Sequence, residues 1–222
     1  MELIRRFFRY LAGHGAALLA AMLLIVLAMW GFILLTDFVS AGKADHFDQR
    51  VINHLRYHHG PPLVIDIMWD WTSLGGPGVW LIFTAAVAGF LVVQKRWLWA
   101  AWMCCTIASG AVVTIFLKGT IDRVPPGHPS YLPKTDYYPS FPSGHAMMAA
   151  VVYLTLGTIV ARLVTDRLSK IYILAVACFL TFIVGFSRVY LTIHWPTDVL
   201  AGWAAGLAWA LLCWILTTRI QQ

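Results

Sequence analysis

The chain is expected to fold as an all-α bundle of six transmembrane helices, with a surface amphipathic helix in the first outer loop. Three observations lead there. Hydrophobic side chains make up 60% of the 222 residues and charged ones only 12%, whereas soluble domains carry about a quarter charged residues. Apolar runs of about 18 residues or more recur along the chain, the length a helix needs to cross a bilayer. Lys and Arg flank these runs, the pattern that orients membrane helices, so the net charge of +6 does not point to nucleic acid. One domain, residues 1–222, is expected.

Taken in order, Arg5, Arg6 and Arg9 hold the N-terminus in the cytoplasm. The first span, about 16–36, is long and has no small-x-small cleavage site after it, which favours an uncleaved helix over a signal peptide. Between Asp45 and His59, the residues Phe47, Val51, Ile52 and Leu55 recur at helical spacing among charges, a pattern that lies on a membrane surface. His54 and His58 are four apart, the spacing of a metal-binding pair, with His59 beside them. No third ligand follows at a fitting spacing, so headgroup-facing histidines are the simpler reading and no metal is expected there. Gly75-Gly76-Pro77-Gly78 opens a second span, 79–93, and Gln94-Lys95-Arg96 ends it. A third runs over 98–117. The Pro- and Gly-rich stretch from Lys118 to Ser140 must lie outside the lipid, because irregular backbone cannot face hydrocarbon. Spans at 143–162, 171–186 and 196–217 complete the set and return the C-terminus to the cytoplasm. Cys104, Cys105, Cys178 and Cys213 lie inside apolar runs and read as buried packing residues. Gly202 and Gly206 form a GxxxG, which fits close helix packing better than a homodimer seam; monomer and homodimer both stay open.

This topology brings three polar clusters to one membrane face. The third span ends there at Lys118, the fourth begins at Ser143, and the fifth ends at Arg188 just before His194 and the sixth. Ionisable residues at such depth are functional candidates. Ser143 and Gly144 at a helix start offer free N–H groups to an anion. Lys118, Arg123 and Arg188 supply cationic clamps for phosphoryl oxygens. Two histidines, His145 and His194, suit phosphoryl transfer, one attacking phosphorus and the other protonating the leaving oxygen. Asp198 falls one turn after His194, where a carboxylate fixes the imidazole tautomer. His194 is therefore read as the nucleophile and His145 as the acid, with no cofactor required.

Pro142-Ser143-Gly144-His145, and Ser187-Arg188 followed by His194 and Asp198, closely resemble two motifs of the type 2 phosphatidic acid phosphatase family. These membrane lipid phosphatases are related to vanadium haloperoxidases. The first family motif, K-x6-R-P, is only partly present: Lys118 stands, but Pro125 occupies the arginine position, with Pro126 next. Arg123, two residues earlier, or Lys134 is left to supply the missing cation. The resemblance implies removal of phosphate, without metal, from a lipid monophosphate or pyrophosphate at the outer side of the cell membrane. Phosphatidic acid, phosphatidylglycerol phosphate, undecaprenyl pyrophosphate and lipid A are the substrates it implies. Tyr131, Tyr137, Tyr138, Phe141, Tyr190 and Trp195 suit a headgroup-level mouth, though packing accounts for them equally well. Two other readings stay open: a lipid phosphotransferase using the same phosphohistidine, and a catalytically weak lipid-phosphate-binding protein.

Overall fold

The computed structural model describes residues 2–57, 60–127 and 138–220 of the chain. Eight helices follow one another, with no strand among the described residues: α1 (Glu2–Ser40), α2 (Asp45–Tyr57), α3 (Pro62–Ser73), α4 (Pro77–Val93), α5 (Trp97–Lys118), α6 (Gly144–Leu163), α7 (Arg167–Tyr190) and α8 (Pro196–Ile220). Among the described residues, five segments are long and apolar enough to cross a membrane: Gly15–Ser40, Trp97–Lys118, Gly144–Leu163, Arg167–Tyr190 and Pro196–Leu216. A sixth arises only if α3 and α4, bent by 51° to each other, act as one.

That bent pair departs from the sequence expectation. A single span was expected over 79–93, but α4 has only 17 residues, about 25 Å of helix at 1.5 Å per residue. The preceding helix α3 was not expected at all. Pro62 in its first turn and the Gly75-Gly76-Pro77 break delimit it. Proline suits a helix start because its missing N–H would be unpaired there anyway.

The bundle is built around α6, most of whose residues are buried. It packs on α5, α7 and α8, while α1 lies along α8 and α3 along α7. The α6–α8 contact depends on the two glycines of the GxxxG. A Cβ on Gly202 would lie 2.6 Å from the Ser143 carbonyl oxygen, and one on Gly206 would lie 2.5 Å from that of Met147. Side chains cannot occupy those positions, so the GxxxG serves packing inside one chain.

Two further expectations change. Cys104, Cys105 and Cys178 are exposed and only Cys213 is buried; the three sit on outward faces of apolar helices, where a thiol is as compatible with hydrocarbon as with a core. In α2 the buried stripe contains Asp48 and Ile52, while Phe47 is half exposed. His58, His59, Tyr131, Lys134 and Tyr137 lie outside the described residues, so the pairing of His54 with His58 is not placed.

Candidate active site

Four chain segments meet at one end of the bundle. The first is the turn after α7. Its last residues form a C-terminal motif in which the Thr192 N–H bonds to the Val189 carbonyl at 2.9 Å and the Ile193 N–H to the Arg188 carbonyl at 3.2 Å. This is the Schellman pattern that satisfies the orphan carbonyls of a helix end. Its left-handed position, usually glycine, is Thr192 at φ 54°, a strained conformation for a β-branched residue. The Arg188 carbonyl also accepts from the His194 N–H at 3.2 Å. The turn thus fixes His194 against the start of α8.

Asp198, in the first turn of α8, is fully buried. Its Oδ2 lies 3.4 Å from His194 Nδ1 and accepts from the Trp195 N–H at 3.0 Å. Its Oδ1 accepts from Arg123 at 2.8 Å. His194 is itself buried, and this burial is the main force holding its imidazole pKa below the ordinary value. The hydrogen bond that its Nδ1–H donates to Asp198 acts in the opposite direction, and the charges of Arg188 and Lys118 lower it further. The imidazole is therefore neutral at pH 7, the form in which a ring nitrogen has a lone pair to give.

Ser143 caps the start of α6, and its own N–H donates to the Asp198 carbonyl at 2.9 Å. His145 is the second residue of α6, within its first turn. It packs against the break between α3 and α4, where a Cβ on Gly75 would come within 3.1 Å of its ring. Arg188, His194 and Lys118 are its ionisable neighbours. Lys118, at the end of α5, donates to the Pro139 carbonyl at 2.7 Å and lies 5.5 Å from the Tyr138 ring centroid. It touches the α6 start, since a Cβ on Gly144 would meet its Cε at 3.3 Å.

Arg188 reaches across to α3, where its guanidinium donates to Thr72 Oγ1 at 3.3 Å. Its Nε is buried and has no partner among the described residues. A buried unpaired donor is costly unless a ligand satisfies it.

Arg123 is placed differently from the expectation of a phosphate clamp. One terminal nitrogen donates to Thr197 Oγ1 at 2.7 Å and to Asp198 Oδ1, and the other donates to Asp48 Oδ2 at 2.6 Å. Its guanidinium also lies 5.2 Å from the Trp195 ring. Asp48, fully buried, accepts in addition from the Thr197 N–H at 3.1 Å and from its hydroxyl. A chain of contacts runs from Asp48 through Arg123 to Asp198 and His194. Sequence reading missed Asp48. The available signal was a carboxylate set into the apolar stripe Ala44, Asp48, Val51, Ile52, Leu55 of an amphipathic helix.

Pro125 sits half-buried between two anchored neighbours. The Val124 carbonyl accepts from Trp195 Nε1 at 2.8 Å, and that of Pro126 accepts from Arg56. Of the aromatic residues proposed for a mouth, Tyr138 is exposed, whereas Phe141 is fully buried in a cluster with Val39 and Ala201.

Fold and site together define a multi-helical membrane protein with a His–Asp pair, two further basic groups and a capped helix start converging at one end. The chain matches the family model of the PAP2 superfamily over residues 99–222 and belongs to that family. It is 31% identical over 150 residues to phosphatidylglycerophosphatase B of Bacillus subtilis, covering 66% of this chain and 71% of that protein. Over 82 residues it is 40% identical to an undecaprenyl-diphosphatase of Sulfolobus acidocaldarius, a match spanning 36% of this chain and 34% of that protein. The crystal structure of a transmembrane PAP2-type phosphatidylglycerolphosphate phosphatase from Bacillus subtilis superposes with a TM-score of 0.79 at 27% identity, covering 88% of this chain and 96% of that one.

Proposed function

We propose that this protein is an integral membrane lipid phosphatase that releases phosphate from a lipid phosphate monoester or pyrophosphate through a phosphohistidine intermediate. The observation that carries this is the meeting of His194, Asp198, His145, Arg188 and Lys118 from four separate helix ends. The related phosphatidylglycerophosphatase and undecaprenyl-diphosphatase support a lipid substrate of that class. We place the site on the outer face of a six-span cell-membrane protein, with α3 and α4 forming one broken span and α2 lying in the interface.

In this mechanism Arg188, Lys118 and the free N–H groups at the start of α6 hold the phosphoryl oxygens. His194 Nε2 attacks phosphorus, forming an N–P bond as the P–O bond to the lipid breaks. Protonated His145 gives its proton to the departing lipid oxygen. Water then attacks phosphorus, loses a proton to His145 and displaces His194, and phosphate leaves. Asp198 holds the other imidazole nitrogen and stabilises the ring as it becomes positive. Arg123 and Asp48 act one step back: Arg123 anchors Asp198, and Asp48 anchors Arg123. The cations already present neutralise the phosphoryl charge, so the steps need no metal.

The test is phosphate release from a panel of lipid phosphates in detergent micelles, with and without a chelator, for the wild type and His194→Ala. Turnover unaffected by chelator and lost in the variant is expected. Inhibition by chelator removes the metal-free mechanism, and turnover by His194→Ala removes the phosphohistidine.

Pro125 favours a second reading, a protein that binds lipid phosphate but turns it over weakly. Each charge-assisted contact of the kind missing here is worth about 1.5–3 kcal/mol. If the wild type binds lipid phosphate without releasing it, and Pro125→Arg restores release, that reading holds.

A further inference from the structure

At the end of the bundle away from His194, a cavity of 510 Å³ opens between α5, α6 and α8. Its size falls in the roughly 300–1,000 Å³ range of ligand clefts. The lining residues belong to the first half of α5 and the second halves of α6 and α8, so helix rise puts it about 20 Å from the catalytic end. Neither the phosphatase mechanism nor the motifs use it.

Its chemistry is graded from mouth to floor. At the mouth the Arg162 guanidinium lies between two indoles, 5.5 Å from Trp99 and 5.6 Å from Trp214. Arg96 approaches the same Trp99 ring at 5.8 Å. Two guanidinium groups on one aromatic ring give this end of the cavity a basic rim, with Arg162 in its lining and Arg96 beside it. Below the rim the walls are mostly apolar, with the hydroxyls of Thr106, Thr155 and Thr158 among them. Two turns down α6 from Arg162, about 10 Å by helix rise, lies Thr155. It is buried, lines the cavity, and its Oγ1 has no partner among the described residues. A buried hydroxyl at this depth is left for a ligand acceptor.

We propose that this cavity binds one anionic glycerophospholipid, distinct from the substrate. Its phosphate lies at Arg162 and Arg96, an ester carbonyl accepts from the Thr155 hydroxyl, and one acyl chain fills the apolar part. The order of the groups matches the molecule: a cation for its anion at the rim, a donor for its ester below and apolar walls beyond. Trp99 and Trp214 are suited to the interface level, where an indole is apolar on its faces and polar at its edge.

The experiment is native mass spectrometry of the full-length protein in neutral detergent, titrated with phosphatidylglycerol or with phosphatidylcholine of the same chains. Both are phosphodiesters and lack the terminal phosphate that the catalytic end would cleave. One phosphatidylglycerol retained in preference to phosphatidylcholine is expected. Arg162→Gln should weaken it about tenfold, and the near-isosteric Thr155→Val several-fold. Ala210→Phe, which fills the cavity, should abolish it, with Thr158→Phe as a second filling variant. Arg188→Gln, at the other end, should leave it unchanged. The proposal is overturned if phosphatidylcholine binds equally, or if Thr155→Val and both filling variants bind phosphatidylglycerol like the wild type. It is equally overturned if Arg188→Gln removes the lipid, because the lipid then sits at the catalytic end.

Discussion

The stretch matched to the PAP2 superfamily, residues 99–222, and the stretch before it contribute different things to one site. The matched stretch carries every group proposed to touch the phosphoryl group: Lys118, the start of α6, His145, Arg188 and His194. The preceding stretch reaches the site through Asp48 on Arg123, Thr72 on Arg188 and the Gly75 turn on His145. The proposed chemistry sits in one region, and much of the support for it sits in the other. A site can therefore keep all its motifs and still depend on segments that no motif describes.

Four substitutions test this division, from the largest expected effect to the smallest. Asp198→Asn should lower kcat by roughly 10³-fold or more, since the imidazole loses the partner that fixes its tautomer. The pH profile gives a second readout. Burial lowers the His194 pKa below 6.5 and Asp198 raises it, so the acid limb of kcat/KM lies below pH 6.5 in the wild type and should move lower still in the variant. The same shift affects folding: the unfolded imidazole binds protons more readily than the buried one, so stability is lost as pH falls below 6.5.

Asp48→Asn should reduce kcat by about 10–100-fold with KM little changed, the usual cost of losing a group that orients an active imidazole indirectly. It should also lower the unfolding midpoint, because Arg123 is left with less compensation in a buried site. A KM effect alone would instead move Arg123 back to the phosphate. Thr72→Val should raise KM a few-fold through a contact worth about 1 kcal/mol, leaving kcat near the wild-type value. Thr192→Gly should raise stability by about 1 kcal/mol by relieving the left-handed threonine, seen as a few degrees in Tm. A drop in Tm would mean that the threonine side chain contributes more than its backbone costs.

Much of this was legible in the sequence. The apolar runs gave the spans because the bilayer imposes a length, and Ser143, His145, Arg188, His194 and Asp198 sit where span ends were expected. The rest required the fold. Arg123 meets Asp48 across 75 positions, and Thr197 meets Asp48 across 149; no local pattern encodes such pairings. The helix α3 was hidden because its twelve residues are too few to register as a span. Arg123 was assigned by its charge and its place beside the first motif, and neither says which of several anions it will face.

The turn after α7 explains why a fixed interval separates Arg188 from His194. Arg188 points its guanidinium toward the site while its carbonyl holds the His194 backbone, so one residue acts as both origin and endpoint of a molecular ruler. The five residues between them are the arc needed to leave the helix, reverse through Thr192 and come back to the same carbonyl. An insertion or deletion anywhere in that arc would leave every functional group present and carry His194, the proposed nucleophile, away from Arg188 and Asp198.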